Sequence, residues 1–156
     1  MSNKLPLNQG QQAASEGFFE FLLSDEKECI IAGAAGVGKT YLMSHFIDHV
    51  MPSYMDICKL MGIKTLYQDV VMTATTNKAA EVLSNSVGRP TQTIQSFLNL
   101  IVKDDYRTGK TKLTRKGTWH IHYNQIIFID ECSMIDRELR KAILEGTINC
   151  NIVYVG

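Results

Sequence analysis

Eight consecutive residues, Gly33-Ala34-Ala35-Gly36-Val37-Gly38-Lys39-Thr40, have types and spacing that could bind a phosphate. The glycines let the backbone curl so that successive N–H groups point at one anion, and a helix starting here presents its positive end to the same place. Lys39 would then contact the β- and γ-phosphates, while the Thr40 hydroxyl would ligate Mg²⁺. An ordinary glycine-rich turn is the alternative. The strand-like residues before the octet and the helix-like residues after it favour the phosphate-binding loop.

A pair of carboxylates forms the second group that could do chemistry. Gln125–Ile129 is apolar enough for a buried strand, and Asp130 and Glu131 stand at its carboxyl end. Asp130 would hold magnesium, and Glu131 would orient and deprotonate an attacking water. Such a string is common by itself. Together with the phosphate loop it favours nucleotide hydrolysis over phosphoryl transfer to a small acceptor.

Strand-like and helix-like segments alternate along the chain, which is typical of an α/β fold. Pro52 is expected to end the helix after the phosphate loop, and the segment up to Gln68 stays open as a short helix broken at Gly62. The expected strands are Cys29–Ala32, Asp69–Ala74, Gln125–Ile129 and Asn149–Gly156; the expected helices are Gln9–Leu23, Tyr41–Val50, a helix entered through Thr75–Asn77, Thr91–Val102 and Ser133–Gly146.

The polar turn Thr75-Thr76-Asn77 follows a strand rich in β-branched residues. Ligands of α/β proteins bind at the carboxyl ends of the strands, so this turn should lie on the same rim as the phosphate loop. Simple capping of the next helix is the alternative, and the residues alone leave the two equally open.

The segment Lys103–Lys116 is the most basic part of the chain and has a turn signal at Arg107–Lys110. A hairpin that protrudes from the core would explain both the turn and the lack of a long apolar face. A solvated surface is the ordinary reading of such a charge run. With Tyr106 near its tip, the hairpin could instead touch a nucleic-acid strand.

Composition limits the remaining possibilities. The 156 residues are 45% apolar and carry 16 basic against 16 acidic side chains, so the chain suits one globular domain, and any polyanion contact must be local. The four cysteines lie far apart, which indicates reduced thiols. His45 and His49 could share a helix face, but no Cys or acidic neighbour in sequence completes a metal site. No apolar run has membrane-spanning length, so we expect a cytoplasmic protein without a membrane partner.

Five ordered motifs together resemble the first RecA-like domain of superfamily 1 DNA helicases, and most strongly the 5′-to-3′ branch of RecD-like and Dda-type phage helicases. The likeness covers nearly the whole chain. The motifs are Leu7-Asn8-x-x-Gln11, the octet from Gly33 to Thr40, Ala74-Thr75-Thr76-Asn77-Lys78-Ala79-Ala80, Thr93-Ile94-Gln95-Ser96-Phe97 and Asp130-Glu131-Cys132-Ser133-Met134.

The resemblance implies a P-loop NTPase of RecA-like, three-layer α/β fold, with a mainly parallel sheet over residues 1–156. Gln11 then matches an adenine-reading glutamine, which implies ATP with Mg²⁺ in preference to GTP. Residues 103–124 match an inserted hairpin that acts as a separation wedge, with Tyr106 as the wedge residue and Lys110 beside it. Single-stranded DNA contacts are implied for Thr76, Asn77, Thr93 and Ser96.

Two positions depart from the family pattern, which usually has Pro where Thr75 stands and His where Gln95 stands. Family members also continue beyond a strand like Asn151–Gly156 with an Asp, a Gln that senses the γ-phosphate, and a second RecA-like domain that supplies an arginine finger. The resemblance therefore implies a domain that is incomplete at its carboxyl end and a missing second domain as partner.

From these inferences we expect the ATPase motor domain of a single-stranded-DNA-dependent helicase, nearly inactive alone, in a bacterium or a phage-infected cell. DNA replication, repair or recombination, with their proteins as partners, would be its setting. Two alternatives stay open. One is a non-catalytic module that binds nucleotide, DNA or a partner, and the other is a different P-loop ATPase such as a helicase loader.

Overall fold

The computed structural model describes residues 9–31, 38–62, 69–105, 107, 109–115 and 121–156, with only the backbone described in 101–105 and 110–115. The helices are α1 (Gln9–Leu23), α2 (Lys39–His45), α3 (Met51–Leu60), α4 (Asn77–Val87), α5 (Ile94–Phe97) and α6 (Arg137–Glu145). The strands are β1 (Glu28–Ile31), β2 (Asp69–Ala74), β3 (Gln92–Thr93), β4 (Leu100–Asp105), β5 (Lys110–Arg115), β6 (His122–Tyr123), β7 (Gln125–Asp130), β8 (Thr147–Ile148) and β9 (Asn151–Val155).

The main sheet has five parallel strands in the order β1-β9-β7-β2-β3. Its central strand, β7, contains the run Ile126–Ile129, in which every side chain is fully buried. A strand that is covered on both faces needs such an unbroken apolar run, because neither face meets water. The sheet is therefore the mainly parallel one that the resemblance implied.

Helices cover both faces of the sheet and make three layers. On one face Phe18 of α1 stacks on Phe46, with ring centroids 4.4 Å apart, and Phe18 also meets Phe128 of β7 at 5.8 Å. On the other face, Leu139 and Ile143 of α6 pack in one cluster with isoleucines of β7 and β9. This layered arrangement is the P-loop NTPase fold that was expected.

Several predicted elements have the expected bounds, and α1 and β2 match theirs residue for residue. The predicted helix Thr91–Val102 is wrong. Thr93 instead caps the short helix α5 by accepting a hydrogen bond from the Ser96 N–H at 3.1 Å. Asn99 then takes a left-handed conformation with φ 60°, which ends the helical run, and the chain enters β4.

Pro52 does not end the helix that follows the phosphate loop. A π-helical segment, Phe46–Val50, joins α2 directly to α3, and Pro52 lies in the first turn of α3. At the junction the Met51 N–H donates to the Phe46 carbonyl five residues back. The wider π turn and the first-turn position accommodate a residue that has no N–H of its own to donate.

The strands β4 and β5 form the antiparallel hairpin that the turn signal predicted, from the pair Leu100 and Arg115 to the pair Asp105 and Lys110. Gly109 has φ 67° in the turn, a conformation that glycine adopts readily. The hairpin starts at Leu100, before the predicted boundary at Lys103. Tyr106 lies outside the described residues. None of the described helices is both long and apolar enough to cross a membrane.

A polar network ties the edge strand β1 to α6 and β9. Arg140 donates to one carboxylate oxygen of Glu28 at 2.7 Å, and the Tyr154 hydroxyl donates to the other at 2.8 Å. Burial by itself would raise the pKa of Glu28, but the hydrogen bonds from Arg140 and Tyr154 outweigh it and leave the pKa below its ordinary value. The ionised form of Glu28 is therefore favoured by folding.

We predict that Glu28→Gln lowers the melting temperature near pH 7 and that its deficit relative to the wild type narrows as the pH falls below about 4.3. A lowered folded-state pKa gives stability that is present above the unfolded-state pKa and is lost as pH falls through the folded value. Thermal melts across this range measure the deficit. Tyr154→Phe removes one of the two donors to Glu28 and should weaken the pH dependence of stability. A deficit of Glu28→Gln that does not vary with pH would contradict the lowered pKa of Glu28.

Candidate functional site

Three residues of the predicted phosphate loop lie in the described part of the chain. Gly38 has φ 66°, and its carbonyl accepts the Leu42 N–H at 2.9 Å, so Lys39 and Thr40 begin α2 directly after a left-handed glycine. A helix that starts at this point directs its first N–H groups to the place where the sequence predicts a phosphate. Gly33, Ala34, Ala35, Gly36 and Val37 lie outside the described residues.

Gln11 reaches the phosphate loop from α1. Its amide nitrogen is 3.5 Å from the Gly38 carbonyl oxygen, across 27 residues of sequence. A Cβ at position 38 would stand 2.5 Å from that same nitrogen. Glycine is favoured at position 38 by its positive φ, whereas a Cβ there would displace only the flexible end of the Gln11 side chain.

The Lys39 ammonium lies at the carboxyl ends of the neighbouring strands. It donates to the carbonyl of Gly156, directly after β9, and the Gly156 N–H in turn donates to the Ile31 carbonyl of β1 at 3.1 Å. The lysine is thus held over the sheet rim by a backbone oxygen, next to the place where the sequence predicts the phosphates.

The two carboxylates stand at the end of β7, as predicted. Asp130 accepts the Glu131 N–H on its Oδ1 at 2.9 Å, which fixes this carboxylate against the following backbone. Glu131 itself has φ 55°, a left-handed conformation that is uncommon for a residue with a side chain. Its exposed carboxylate therefore leaves the strand at an unusual angle, and strained backbone of this kind is concentrated at functional sites.

Cys132, which follows the carboxylates, lies close enough to Asp130 and Lys39 for both to affect its thiol. Burial raises the pKa of that thiol, the Lys39 ammonium opposes the rise and Asp130 adds to it. A Cβ on Gly156 would stand 2.6 Å from the Cys132 sulfur. The sequence indicated only a reduced core thiol here. Its position directly after Asp130-Glu131 was the one signal that it belongs to the site.

The residues expected to contact single-stranded DNA line the adjoining part of the same rim. Thr76 caps α4 by accepting the Ala79 N–H at 3.1 Å, and Thr93 caps α5 in the same way. The parallel register pairs Ala74 with Thr93, which places the two caps at neighbouring strand ends. Asn77 and Ser96 are exposed beside them. The side-chain oxygens of Thr76 and Thr93 thus act as helix caps. Capping does not prevent either residue from also contacting a DNA strand.

The cap of α4 also reaches the carboxylate pair. The Thr76 hydroxyl donates to Oε2 of Glu131 at 3.5 Å, a long hydrogen bond at the protein surface. Sequence reasoning assigned these two residues to separate motifs. The parallel pairing of β2 with β7, in register from Asp69 to Ala74, brings their strand ends together.

The remaining predicted residues lie apart from this rim or outside the described side chains. Lys110 pairs with Asp105 at the start of β5, and Tyr106 is not described. His45 and His49 have ring centroids 4.9 Å apart. Within the described ranges, no three His, Cys, Asp or Glu side chains gather as a metal site.

His122 donates from Nε2 to the Phe97 carbonyl at 2.9 Å and stacks on the Phe97 ring, so it anchors the base of the hairpin.

Comparison with solved structures finds a similar fold in a phage large terminase. The large terminase of a thermophilic bacteriophage superposes with a TM-score of 0.50 at 15% identity over 97% of this chain and 39% of that one. The HK97 bacteriophage large terminase gives 0.49 at 13% identity, over 100% and 34%. The thermophilic phage terminase in complex with ADP gives 0.47 at 15% identity, over 96% and 38%. The chain thus spans less than two-fifths of each of these proteins.

Sequence comparison places the chain in a family. No curated protein sequence matches it significantly. The family model described as "AAA domain", in contrast, matches residues 6–156. That range includes the phosphate loop, the carboxylate pair and every strand of the parallel sheet. With the P-loop NTPase fold and the loop geometry at Gly38, the match shows that the chain belongs to the AAA domain family.

Proposed function

We propose that this domain is the ATP-hydrolysing motor domain of a helicase that depends on single-stranded DNA. The hydrogen bond between Thr76 and Glu131 is the observation that carries the proposal. Thr76 belongs to a motif that resembles a strand-gripping motif, and Glu131 is the residue to which we assign the activation of water. A DNA backbone that engages Thr76 would therefore act on a direct neighbour of the hydrolytic carboxylate, which is how a strand can control hydrolysis.

The nucleotide side of the proposal depends on residues that fit ATP. Lys39 would leave the Gly156 carbonyl for the β- and γ-phosphates, and Gln11, already against Gly38, would read the adenine edge. Glu131 would take a proton from the attacking water, while Asp130 and Thr40 would hold the metal ion. Mg²⁺, when bound with ATP, neutralises charge that develops on the phosphates. Closing against a second RecA-like domain would complete the site and ratchet the strand.

We predict that Lys39→Ala lowers ATP hydrolysis by about 10²-fold or more, because the ammonium stabilises charge on the phosphates in the transition state. The exposed Lys59 on α3 offers a matched control, since Lys59→Ala removes the same charge far from the loop. Fluorescent-nucleotide binding and single-turnover hydrolysis measure the effect. Single-turnover conditions are used because an arginine finger supplied by a second domain is worth about 10³ to 10⁵ in rate. Equal activity in the two variants would refute the nucleotide site.

For the base, we predict that Gln11→Ala removes the preference for ATP over GTP, so that the ratio of the two dissociation constants approaches one. A site built to hydrogen-bond one base loses discrimination when the bonding group is removed. Gln12→Ala, at the exposed neighbouring position on α1, is the control. Competition titrations with both nucleotides report the ratio, and an unchanged ratio in Gln11→Ala would show that another residue reads the base.

For the strand, we predict that Asn77→Asp weakens binding of a labelled oligothymidylate by about tenfold, because like charges repel at the contact. The helix dipole stabilises a carboxylate in the first turn of α4, so the variant should fold normally. Asn85→Asp adds the same charge to the same helix away from the rim. Fluorescence anisotropy at two salt concentrations measures the loss, which should shrink as salt rises. Equal binding by both variants would remove this rim from the DNA path.

Hydrolysis assays with and without added oligonucleotides separate the alternatives. A non-catalytic module would bind nucleotide or DNA without any turnover that depends on Lys39. A different P-loop ATPase that works on duplex DNA would be stimulated by double-stranded and not by single-stranded oligonucleotides.

A further inference from the structure

Thr75 directs its polar groups to two neighbouring elements. Its N–H donates to the Asp130 carbonyl at 3.3 Å, and its hydroxyl donates to the Glu131 carbonyl at 3.1 Å. Its own carbonyl accepts the Gln95 side-chain amide at 3.4 Å. Thr75 is only 7% exposed, so these bonds are shielded from competing water.

The hydroxyl of Thr75 acts on a turn that needs support. Glu131 adopts its left-handed conformation at the point where β7 ends and the 3₁₀ turn Cys132–Met134 begins. Its carbonyl accepts both the Thr75 hydroxyl and the Met134 N–H, the latter at 3.1 Å. Backbone in this region persists only when the surrounding structure holds it. The side chain of Thr75 is thus one of the groups that hold it.

Gln95 supports Thr75 from α5, on the side away from the carboxylates. The amide nitrogen of Gln95 makes the bond to Thr75, while its Oε1 is buried and has no hydrogen-bond partner among the described residues. A buried acceptor without a partner is costly and rare in native proteins. The bond from its amide nitrogen to Thr75 offsets part of that cost.

We propose that Thr75 is a positioning residue for Glu131 and that Gln95 braces it. Its hydroxyl holds the Glu131 backbone in the conformation that points the carboxylate at the attacking water. The inference rests on the proposed ATPase function. Positions 75 and 95 are also the two at which the chain departs from the resembled helicase pattern. A proline at 75 would have neither the N–H nor the hydroxyl. The bond to Asp130 needs any residue other than proline, and the bond to Glu131 needs the side-chain hydroxyl found here.

Thr75→Val is the direct test, because it removes the hydroxyl while keeping the β-branched shape. We expect single-turnover ATP hydrolysis by the 156-residue chain to fall about tenfold, with the ATP dissociation constant within about twofold of the wild type. Lys39 and Gln11 make no contact with Thr75 through this hydroxyl, so binding should be spared. Thr75→Ser, which restores a hydroxyl, should recover most of the rate, and Gln95→Met should reduce it less than Thr75→Val.

Thr73 provides a matched control on the same strand pair. Its hydroxyl donates to the Phe128 carbonyl of β7 at 2.7 Å, and the residue is fully buried. Thr73→Val therefore loses the same type of bond between β2 and β7 inside the sheet. It should lower the melting temperature and leave the rate of hydrolysis unchanged. Equal rates in Thr73→Val and Thr75→Val would overturn the proposal, because both substitutions would then act only on stability.

Amide hydrogen exchange gives a second readout that does not need catalysis. In Thr75→Val the peptide containing Asp130–Met134 should exchange faster than in the wild type, whereas Thr73→Val should leave it protected. Unchanged exchange in Thr75→Val would overturn the positioning role even if hydrolysis changed. A wild-type chain that neither binds ATP nor hydrolyses it would instead overturn the proposed ATPase, while the exchange result would still decide whether Thr75 holds the turn.

Discussion

The parallel direction of the central strands is the constraint on which the site depends. Because β1, β9, β7, β2 and β3 all run the same way, their carboxyl ends meet at one rim. The lysine contact at Gly156, the carboxylates Asp130 and Glu131, and the polar turn after β2 are all found there. One reversed strand in this set would carry its residues to the opposite edge. The shared direction of the strands therefore brings the polar residues at their carboxyl ends together.

Burial explains why that chemistry is confined to strand ends. The interior of β7 is apolar on both faces, and a polar side chain there would need a partner that the layers of helices cannot offer. Thr73 meets this condition by bonding a carbonyl of the neighbouring strand. At the rim the same kind of bond, made by Thr75, holds a turn whose backbone conformation is unfavourable by itself. Inside the sheet the hydroxyl bond of Thr73 satisfies a buried group, whereas at the rim the same kind of bond, made by Thr75, has the positioning role that we propose.

Local patterns predicted the long elements well and failed where tertiary contacts compete with them. The spacing of Ile94, Phe97, Leu98 and Ile101 fits one helical face, yet the helix ends after one turn. Ile94 and Leu98 are buried in one cluster with isoleucines of β7 and β9, but the next residues pair with β5 to form the hairpin. Helical spacing cannot report such a partner, because β5 lies further along the chain. The prediction that Pro52 ends the helix failed for a related reason, because the preceding π turn accommodates the proline.

The sequence by itself determined which groups are available for chemistry: a glycine-rich loop ending in Lys39, a carboxylate pair after an apolar strand, and a polar turn after another. Residue type and spacing along one segment are enough for that, because the loop and the strand end are local structures. Only the tertiary structure decided which groups touch. It set Gln11 against Gly38, Thr76 beside Glu131, and Thr75 between Gln95 and the carboxylate turn. These contacts join residues many positions apart, and the strand order that brings them together is a property of the packed sheet, which no single segment encodes.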